Sequence, residues 1–353
     1  MDSMMIQTMR LIKTAVFALL MVSALSAAKT LDMYVIDVEG GKSLLMISPS
    51  GESMLIDVGG NRHVDRIVEA CKAAGIKKID YMVVSHYDGD HVGGVPELAA
   101  QIPMVNFVDH GANVQTTDPG YVKNVDAYWA LAAKGKRLVV KAGDRIPIKG
   151  FDALVVMAAG KAITEPLKGA GQPNPACDTT PRKVWGLDER GILDNHDTNE
   201  NSQAITLLVT YGKFRMLDPA DLTWNKDREL FCPMNRIGTV DLYMTANHGT
   251  DNANSPIMVH ALRPRVVIAD NGARKGASAE VFQTVESSPG LEDYWQMHYL
   301  IPGGEKANVS PDYIANTEGS PDGKWIKVSV EENGTFTVTN SRNNFAKTYQ
   351  PRK

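Results

Sequence analysis

Ten residues constrain this chain more than any others: Ser85 to Gly94, SHYDGDHVGG. They hold His86, Asp88, Asp90 and His91 within six positions, directly after the apolar run Tyr81 to Ser85 (YMVVS) and just before Gly93-Gly94. A continuous apolar run is the pattern of a strand covered on both faces. Two imidazoles and two carboxylates at the end of such a strand cannot be desolvated cheaply unless something offsets their charge and polarity. A divalent metal does so, and mixed imidazole and carboxylate ligands suit Zn²⁺, Mn²⁺ or Fe²⁺. The lack of cysteine in the string argues against a structural Cys-type zinc site. Ligands at alternating positions of a turn can be aimed at two neighbouring points. Two ions roughly 3.5–4 Å apart hold and deprotonate a bridging water. The competing reading, a solvated polar turn, suits a lone His beside an Asp better than four such groups behind a buried strand.

The rest of the chain interleaves strand and helix patterns. Leu31 to Val38 and Ser43 to Ser48 flank Gly40-Gly41 as a hairpin, and Met54 to Val58 is a third strand. His63 to Ala74 carries apolar residues at Val64, Ile67, Val68 and Cys71, the spacing of an amphipathic helix. Helices are also expected at Pro96 to Gln101, Tyr121 to Ala133, Ile257 to Leu262 and Ala279 to Val285. Further strands are expected at Met104 to Val108, Arg137 to Val140, Phe151 to Met157, Ala204 to Thr210, Phe214 to Leu217, Val240 to Thr245 and Arg265 to Ala269. Between Gly160 and Asn201 the pattern dissolves into Gly, Pro, Asn and Asp. So long an irregular segment reads as a functional loop or a passive insertion. Trp325 to Thr339 alternates around Asn333-Gly334, a strong hairpin signal that places a C-terminal hairpin at about 325–340. The sum is a mixed α/β chain of layered sheets and helices.

The string His86-x-Asp88-x-Asp90-His91 resembles the signature of the metallo-β-lactamase-fold hydrolases, whose usual form is His-x-His-x-Asp-His. With Asp at the second position it is most similar to the hydrolase domain of bacterial competence (DNA-uptake) proteins and their stand-alone secreted relatives. The resemblance runs with gaps from about Leu31 to Gly276. MLIDVGG, Met54 to Gly60, looks like the family's strand ending in Asp-x-Gly, which implies that Asp57 lies beneath the metal ligands. Asn201-Ser202 resembles the subgroup's Asn-Ser motif, where other members have a third histidine. FRMLDPADL, Phe214 to Leu222, resembles the strand ending in Gly-Asp, and alignment by length puts Asp221 at the bridging position, with Asp218 competing for it. VDLYMTANHGT, Val240 to Thr250, resembles the strand ending in His-His-Gly-Ser, so His248 is implied as the last ligand.

What the resemblance implies is a four-layer αββα sandwich, a single domain over residues 29–353 with the long insertion at 160–201. It also implies two divalent ions. The first would be held by His86 and Asp88 with Asn201 or water, the second by Asp90, His91 and His248, and Asp221 would bridge them. A metal-bound hydroxide would attack an electrophilic carbon or phosphorus, with Asp90 orienting or deprotonating the water.

The sequence departs from the pattern at several points. Asp88 and Asn201 stand where imidazoles are usual, and an oxygen-richer site shifts preference from zinc towards manganese. Ala220 precedes Asp221 in place of Gly, and Asn247 replaces the first His of the pair. The late Tyr-Gly-His segment of the competence-type domains becomes GARKGAS, Gly272 to Ser278, with Ala277 at the His position. Arg274 and Lys275 there offer either substrate contacts or ordinary solvated charge. His110 ends a strand and is open to a ligand or rim role. His196, just ahead of Asn201, is open to the same or to a plain loop role. His63, His260 and His298 lack neighbours at metal spacing. Trp185 reads as a substrate cover or a packing anchor.

Composition bounds the partners. The 353 residues carry 37 basic and 41 acidic side chains. Arg10 and Lys13 precede the apolar run Ala15 to Leu25, followed by Ser26-Ala27-Ala28, which describes a secretory signal peptide over residues 1–28. The run is shorter than the roughly 20 residues a permanent span needs. A secreted or periplasmic location follows. Removing residues 1–28 leaves 35 basic and 40 acidic side chains, a net charge of −5. That supplies no basic track for long nucleic acid and points to a small-molecule substrate. In an oxidising compartment Cys177 and Cys232, in loop contexts, could pair, whereas Cys71 fits a buried helical position. The leading expectation is an exported metal-dependent hydrolase of a small ester, lactone or phosphodiester. The contrasting one is a binding protein on a decayed hydrolase scaffold, with one ion or none.

Overall fold

The computed structural model describes residues 30–187, 195–317 and 323–352. The expected signal peptide, and residues 188–194 of the irregular segment, lie outside the described residues. Two nine-stranded sheets face each other. The first has strands β1 (Leu31–Ile36), β2 (Leu44–Ile47), β3 (Ser53–Ile56), β4 (Ile79–Val83), β5 (Met104–Asp109) and β6 (Lys136–Val139). The second has β7 (Arg145–Ile146), β8 (Asp152–Ala158) and β9 (Lys161–Ala162), with β10 (Gln172–Pro173) outside it. The second sheet continues with β11 (Thr206–Tyr211) and β12 (Phe214–Asp218). After β13 (Met234–Asn235), which pairs only with β10, it runs through β14 (Leu242–Met244), β15 (Val266–Ala269), β16 (Asp293–His298) and β17 (Ile314–Asn316). Strands β18 (Trp325–Val330), β19 (Phe336–Asn340) and β20 (Ala346–Tyr349) return to the first sheet. Its order is β20-β19-β18-β1-β2-β3-β4-β5-β6. The second runs β17-β16-β15-β14-β12-β11-β8-β7, with β9 beside β8.

Burial assigns four layers. The inner faces of both sheets share one core, in which Met33, Val35, Met54 and Val83 of the first sheet meet Val155, Leu207, Met216 and Trp295 of the second. The outer face of the first sheet is covered by the helices Val64–Ala73, Val95–Ala99 and Pro119–Ala132. That of the second is covered by Pro256–Leu262 and Ala279–Glu286. The expected αββα sandwich is the observed fold. Three of these helices start at a side-chain cap: Asp118, Ser255 and Ser278 accept backbone N–H groups of the first turn. The expected C-terminal hairpin is β18–β19, and it joins the first sheet through β1. Strands β16, β17 and β20 were not anticipated. DYWQMH in β16 mixes polar and aromatic residues without clear alternation, because five of its six residues are buried between layers and neighbours.

The described part of the irregular segment is tied to its surroundings. Cys177 and Cys232 are joined in a disulfide, and Cys71 is buried in its helix. The Asn174 amide donates to the carbonyls of Phe231 and Ile257, and the Arg228 guanidinium to those of Thr180 and Cys177. Among the described residues no helix is long and apolar enough to cross a membrane.

Candidate metal centre

Parallel pairing sets the site. β3 and β4 run parallel in the first sheet, and β12, β14 and β15 in the second, so their C-terminal ends open onto one edge of the sandwich. Ligand crevices form at such strand ends. Asp57 follows β3, His86 to His91 follow β4, Asp221 follows β12, His248 follows β14 and Lys275 follows β15. The one-turn helix Gly89–Val92 lifts Asp90 and His91 back over the edge. Gly94 is required there, because a Cβ would lie 2.8 Å from Val58 Cγ1.

Three imidazoles and three carboxylates converge. His86 Nε2 lies 3.7 Å from Asp88 and 3.8 Å from Asp221. His91 Nε2 lies 3.3 Å from Asp221 and 3.9 Å from Asp90. His248 Nε2 lies 3.3 Å from Asp90 and 3.6 Å from Asp221. All three Nε2 atoms are buried without a hydrogen-bond partner, as are Asp88 Oδ1 and His248 Nδ1. Two groups can each share an ion at these distances: His86, His91 and Asp221; and Asp90, His91 and His248. His91 falls in both. Asp221 touches all three imidazoles, whereas its competitor Asp218 is paired with Lys42 at 2.9 Å. Ala220 holds a positive φ of 49°, the turn that a Gly before Asp221 would adopt more easily.

A layer beneath orients the ligands. Asp57, itself at φ 60° and fully buried, accepts from Ser85 N (2.8 Å), Ser85 Oγ (2.6 Å) and His91 Nδ1 (2.8 Å). The Ser85 hydroxyl, having donated to Asp57, lies 3.0 Å from His86 Nδ1 as an acceptor. With Nδ1 carrying the proton in both rings, each Nε2 presents a lone pair to the centre. On the other side Lys42, 1% exposed, bridges Asp218 and Asp270. Asp270 Oδ2 lies 3.9 Å from His248 Nδ1. Asn247 and His248 both have positive φ, a strained turn that aims the His248 ring inward.

The electrostatics follow the crowding. Burial pulls the His91 imidazole down, but Asp221, Asp57 and Asp90 outweigh it and hold it well above the usual range. For His86, burial and His91 act downward, and Asp88 with Asp221 raise it overall. Burial works against the charged forms of Asp90 and Asp221, yet the neighbouring imidazoles keep both below the ordinary carboxylate range. In the Tyr121 phenol, burial and then the facing Asp88 carboxylate push the pKa well up. Protein crowds Asp90, yet about a third of its side chain (35%) reaches solvent.

The remaining expected residues are placed as follows. Asn201 is buried in the turn Glu200–Gln203, and Ile205 N donates to Ser85 O, so this turn adjoins the His86 loop. His110, expected as ligand or rim, instead commits its Nε2 to Glu200 at 3.0 Å and stacks on Tyr87. Glu200, which the sequence reading missed, also takes the N–H groups of Tyr87 and Val114. His196 packs against Trp185 with ring centroids 4.7 Å apart and lies 3.5 Å from Asn252, whose oxygen accepts from Asn247. That is a rim position. Arg274 is exposed. Lys275 is bonded to Asp90. Lys42 and Asp270 were also missed. Their signal was a lysine between Gly-Gly and an apolar strand, a place where a charge needs a partner.

Residues 37–156 match the family model described as Metallo-beta-lactamase superfamily. That match spans about a third of the chain and includes Asp57 and the string from Ser85 to Gly94. No curated protein matches the chain. Among solved structures, a metallo-β-lactamase of Cronobacter sakazakii with a HARLDQ motif is 17% identical, with a TM-score of 0.31. That match covers 52% of this chain and 59% of the other, less than two thirds of its length. Igni18, a metallo hydrolase of Ignicoccus hospitalis, is 12% identical over 75% of this chain and 95% of its own, TM-score 0.42. CmlA, a diiron β-hydroxylase of Streptomyces venezuelae, is 15% identical over 67% and 44%, TM-score 0.36.

Proposed function

We propose that this chain is an exported metal-dependent hydrolase of a small ester, lactone or phosphodiester, nearest in motif to the competence-type branch. One observation carries the reading: three buried Nε2 atoms without partners converge on shared carboxylates. Two ligands on one tetrahedral zinc, each about 2.0–2.2 Å from it, stand roughly 3.3–3.5 Å apart. The closest nitrogen–oxygen pairs here are 3.3 Å apart. Buried polar atoms are normally hydrogen-bonded, so the donor set fits an ion that completes it. His86, Asp88 and Asp221 would hold one ion, and Asp90, His91 and His248 a second, because the single free lone pair of His91 Nε2 serves one ion only. A bound divalent ion supplies a lowered water pKa and a Lewis acid for the electrophile.

The protein's own groups do the rest. Asp90, ionised and partly open to solvent, accepts a proton from an attacking water. Asp57 and Ser85 fix the tautomers of His91 and His86. Tyr121 keeps its proton and can donate to a substrate oxygen beside Asp88. The three carboxylates favour manganese and the three imidazoles zinc. The net charge of −5 and the commitment of Lys275 to Asp90 weigh against long nucleic acid.

A second reading, a binding protein with one ion or none, draws support from that Lys275–Asp90 pair. The deciding experiment is metal analysis of purified protein with a panel of ester, lactone, lactam and phosphodiester substrates. Bound metal with turnover lost in Asp90→Asn supports the hydrolase. Bound metal without turnover on any substrate supports the binding protein, and no metal after reconstitution with Mn²⁺ or Zn²⁺ overturns the metal reading.

A further inference from the structure

The two candidate ion positions are not equivalent. The group His86, His91 and Asp221 has no ammonium or guanidinium bonded to it among the described residues. In the group Asp90, His91 and His248, Lys275 Nζ is bonded to Asp90 Oδ2. That oxygen is the one offered to the centre, 3.3 Å from His248 Nε2 and 3.9 Å from His91 Nε2.

Lys275 is delivered there by its backbone. Gly272 N donates to Lys275 O and closes a tight turn. Ala277 N donates to His248 O, and Ser278 N to Gly249 O. Gly276, at φ 82°, lets the two segments touch, because a Cβ there would lie 2.0 Å from His248 O. The lysine is thus clamped to the residue that supplies a ligand, and only its side chain is free to move. With 44% of that side chain exposed, it has a way out to water. Lys42, buried at 1%, has none and is a fixed part of the framework.

Resting on the metal reading above, we propose that Lys275 is a tethered cation that competes with the second divalent ion for Asp90, so that the chain loads its two positions unequally. An ammonium and a divalent ion on one carboxylate oxygen repel each other as like charges, so each weakens the other's hold on Asp90. The second ion binds best with Lys275 displaced into solvent. A partly exposed ion pair is modest in strength, so the handicap is at most about fivefold in affinity. At limiting metal the protein carries one ion, on the His86 side.

The test is equilibrium dialysis of the metal-free full chain against Mn²⁺ and, separately, Zn²⁺, with bound metal counted per chain. Wild type should bind one ion tightly and a second more weakly. Lys275→Met, which keeps the stem and removes the charge, should tighten the second step by up to about fivefold and leave the first unchanged. The unchanged first step also serves as the folding control. Lys275→Arg should keep the two steps apart. Equal steps in wild type, or a second step unmoved by Lys275→Met, would overturn the proposal while leaving the metal reading intact. No metal in either protein would overturn both.

Discussion

The His86–His91–His248 centre and the cluster of Asp37, Glu39 and His298 are built from the same kinds of side chain, and the cluster, like each of the centre's two overlapping triads, brings its ligand atoms within 4.8 Å of one another. They differ in what those atoms do. In the second cluster His298 Nε2 is 2.6 Å from Asp37, Arg66 is bonded to both Asp37 and Glu39, and Asn271 accepts from His298 N. The protein has answered its own polar groups there, with a guanidinium as the cation. In the first centre the three Nε2 atoms stand 3.3 to 3.9 Å from carboxylate oxygens and bond to none. Residue type does not mark an ion site. Unmet donor capacity in a buried place does, because a folded chain rarely leaves it unmet without cause.

Four substitutions test that contrast. The largest effect is expected from Asp221→Ala. It removes the carboxylate common to all three imidazoles, and bound metal and turnover should fall by roughly a thousandfold or more, an order typical of lost metal catalysis. Metal content and hydrolysis rate check it, and a variant retaining both would break the assignment. Asp57→Asn should cost about 10–100-fold in metal affinity with the fold kept. Asn tolerates the positive φ, but its amide no longer fixes the Nδ1 proton of His91, so Nε2 loses its lone pair part of the time.

Arg66→Ala should leave metal affinity unchanged and lower stability by about 1–2 kcal/mol, because Asp37 keeps His298 as a partner. Urea unfolding with metal analysis reads both, and a drop in bound metal would erase the distinction between the clusters. The smallest and most conditional effect concerns Asp227, distant in role from either cluster. Burial pushes its carboxyl up to about 8, against the Ser255 hydroxyl, Arg228 and the Ser255 backbone N–H. Its unfolded value is about 3.9. Between those values the folded state holds a proton the unfolded state has lost, so stability declines as pH rises from about 4 to 8. Asp227→Asn should flatten that decline, measured as Tm against pH. An unchanged slope would assign the dependence elsewhere.

How much of this was legible beforehand varies by region. The string from Ser85 to Gly94 identified its own chemistry because four potential ligands are local in sequence. Asp57 and His248 were reached only through resemblance, and Asp221 by alignment against Asp218 three positions away. The tertiary structure separates those two: the turn at Ala220 sends Asp221 to the imidazoles, while Asp218 stays on the strand end and meets Lys42. His110 could not be placed from sequence, since Glu200, its partner, is 90 positions distant.

By itself the sequence determined the alternation that builds two apolar-faced sheets, the apolar spacing of the amphipathic helices, and the concentration of ligands behind one buried strand. These are short-range properties, set by side-chain period and local backbone preference. Only the tertiary structure decided which carboxylate serves the centre, which histidines keep a free nitrogen, and that Lys275 lies on Asp90 while Lys42 is locked beneath it. Those outcomes depend on groups far apart in the chain meeting in a space from which water is largely excluded, where a partner gained or missing changes the state of every neighbour.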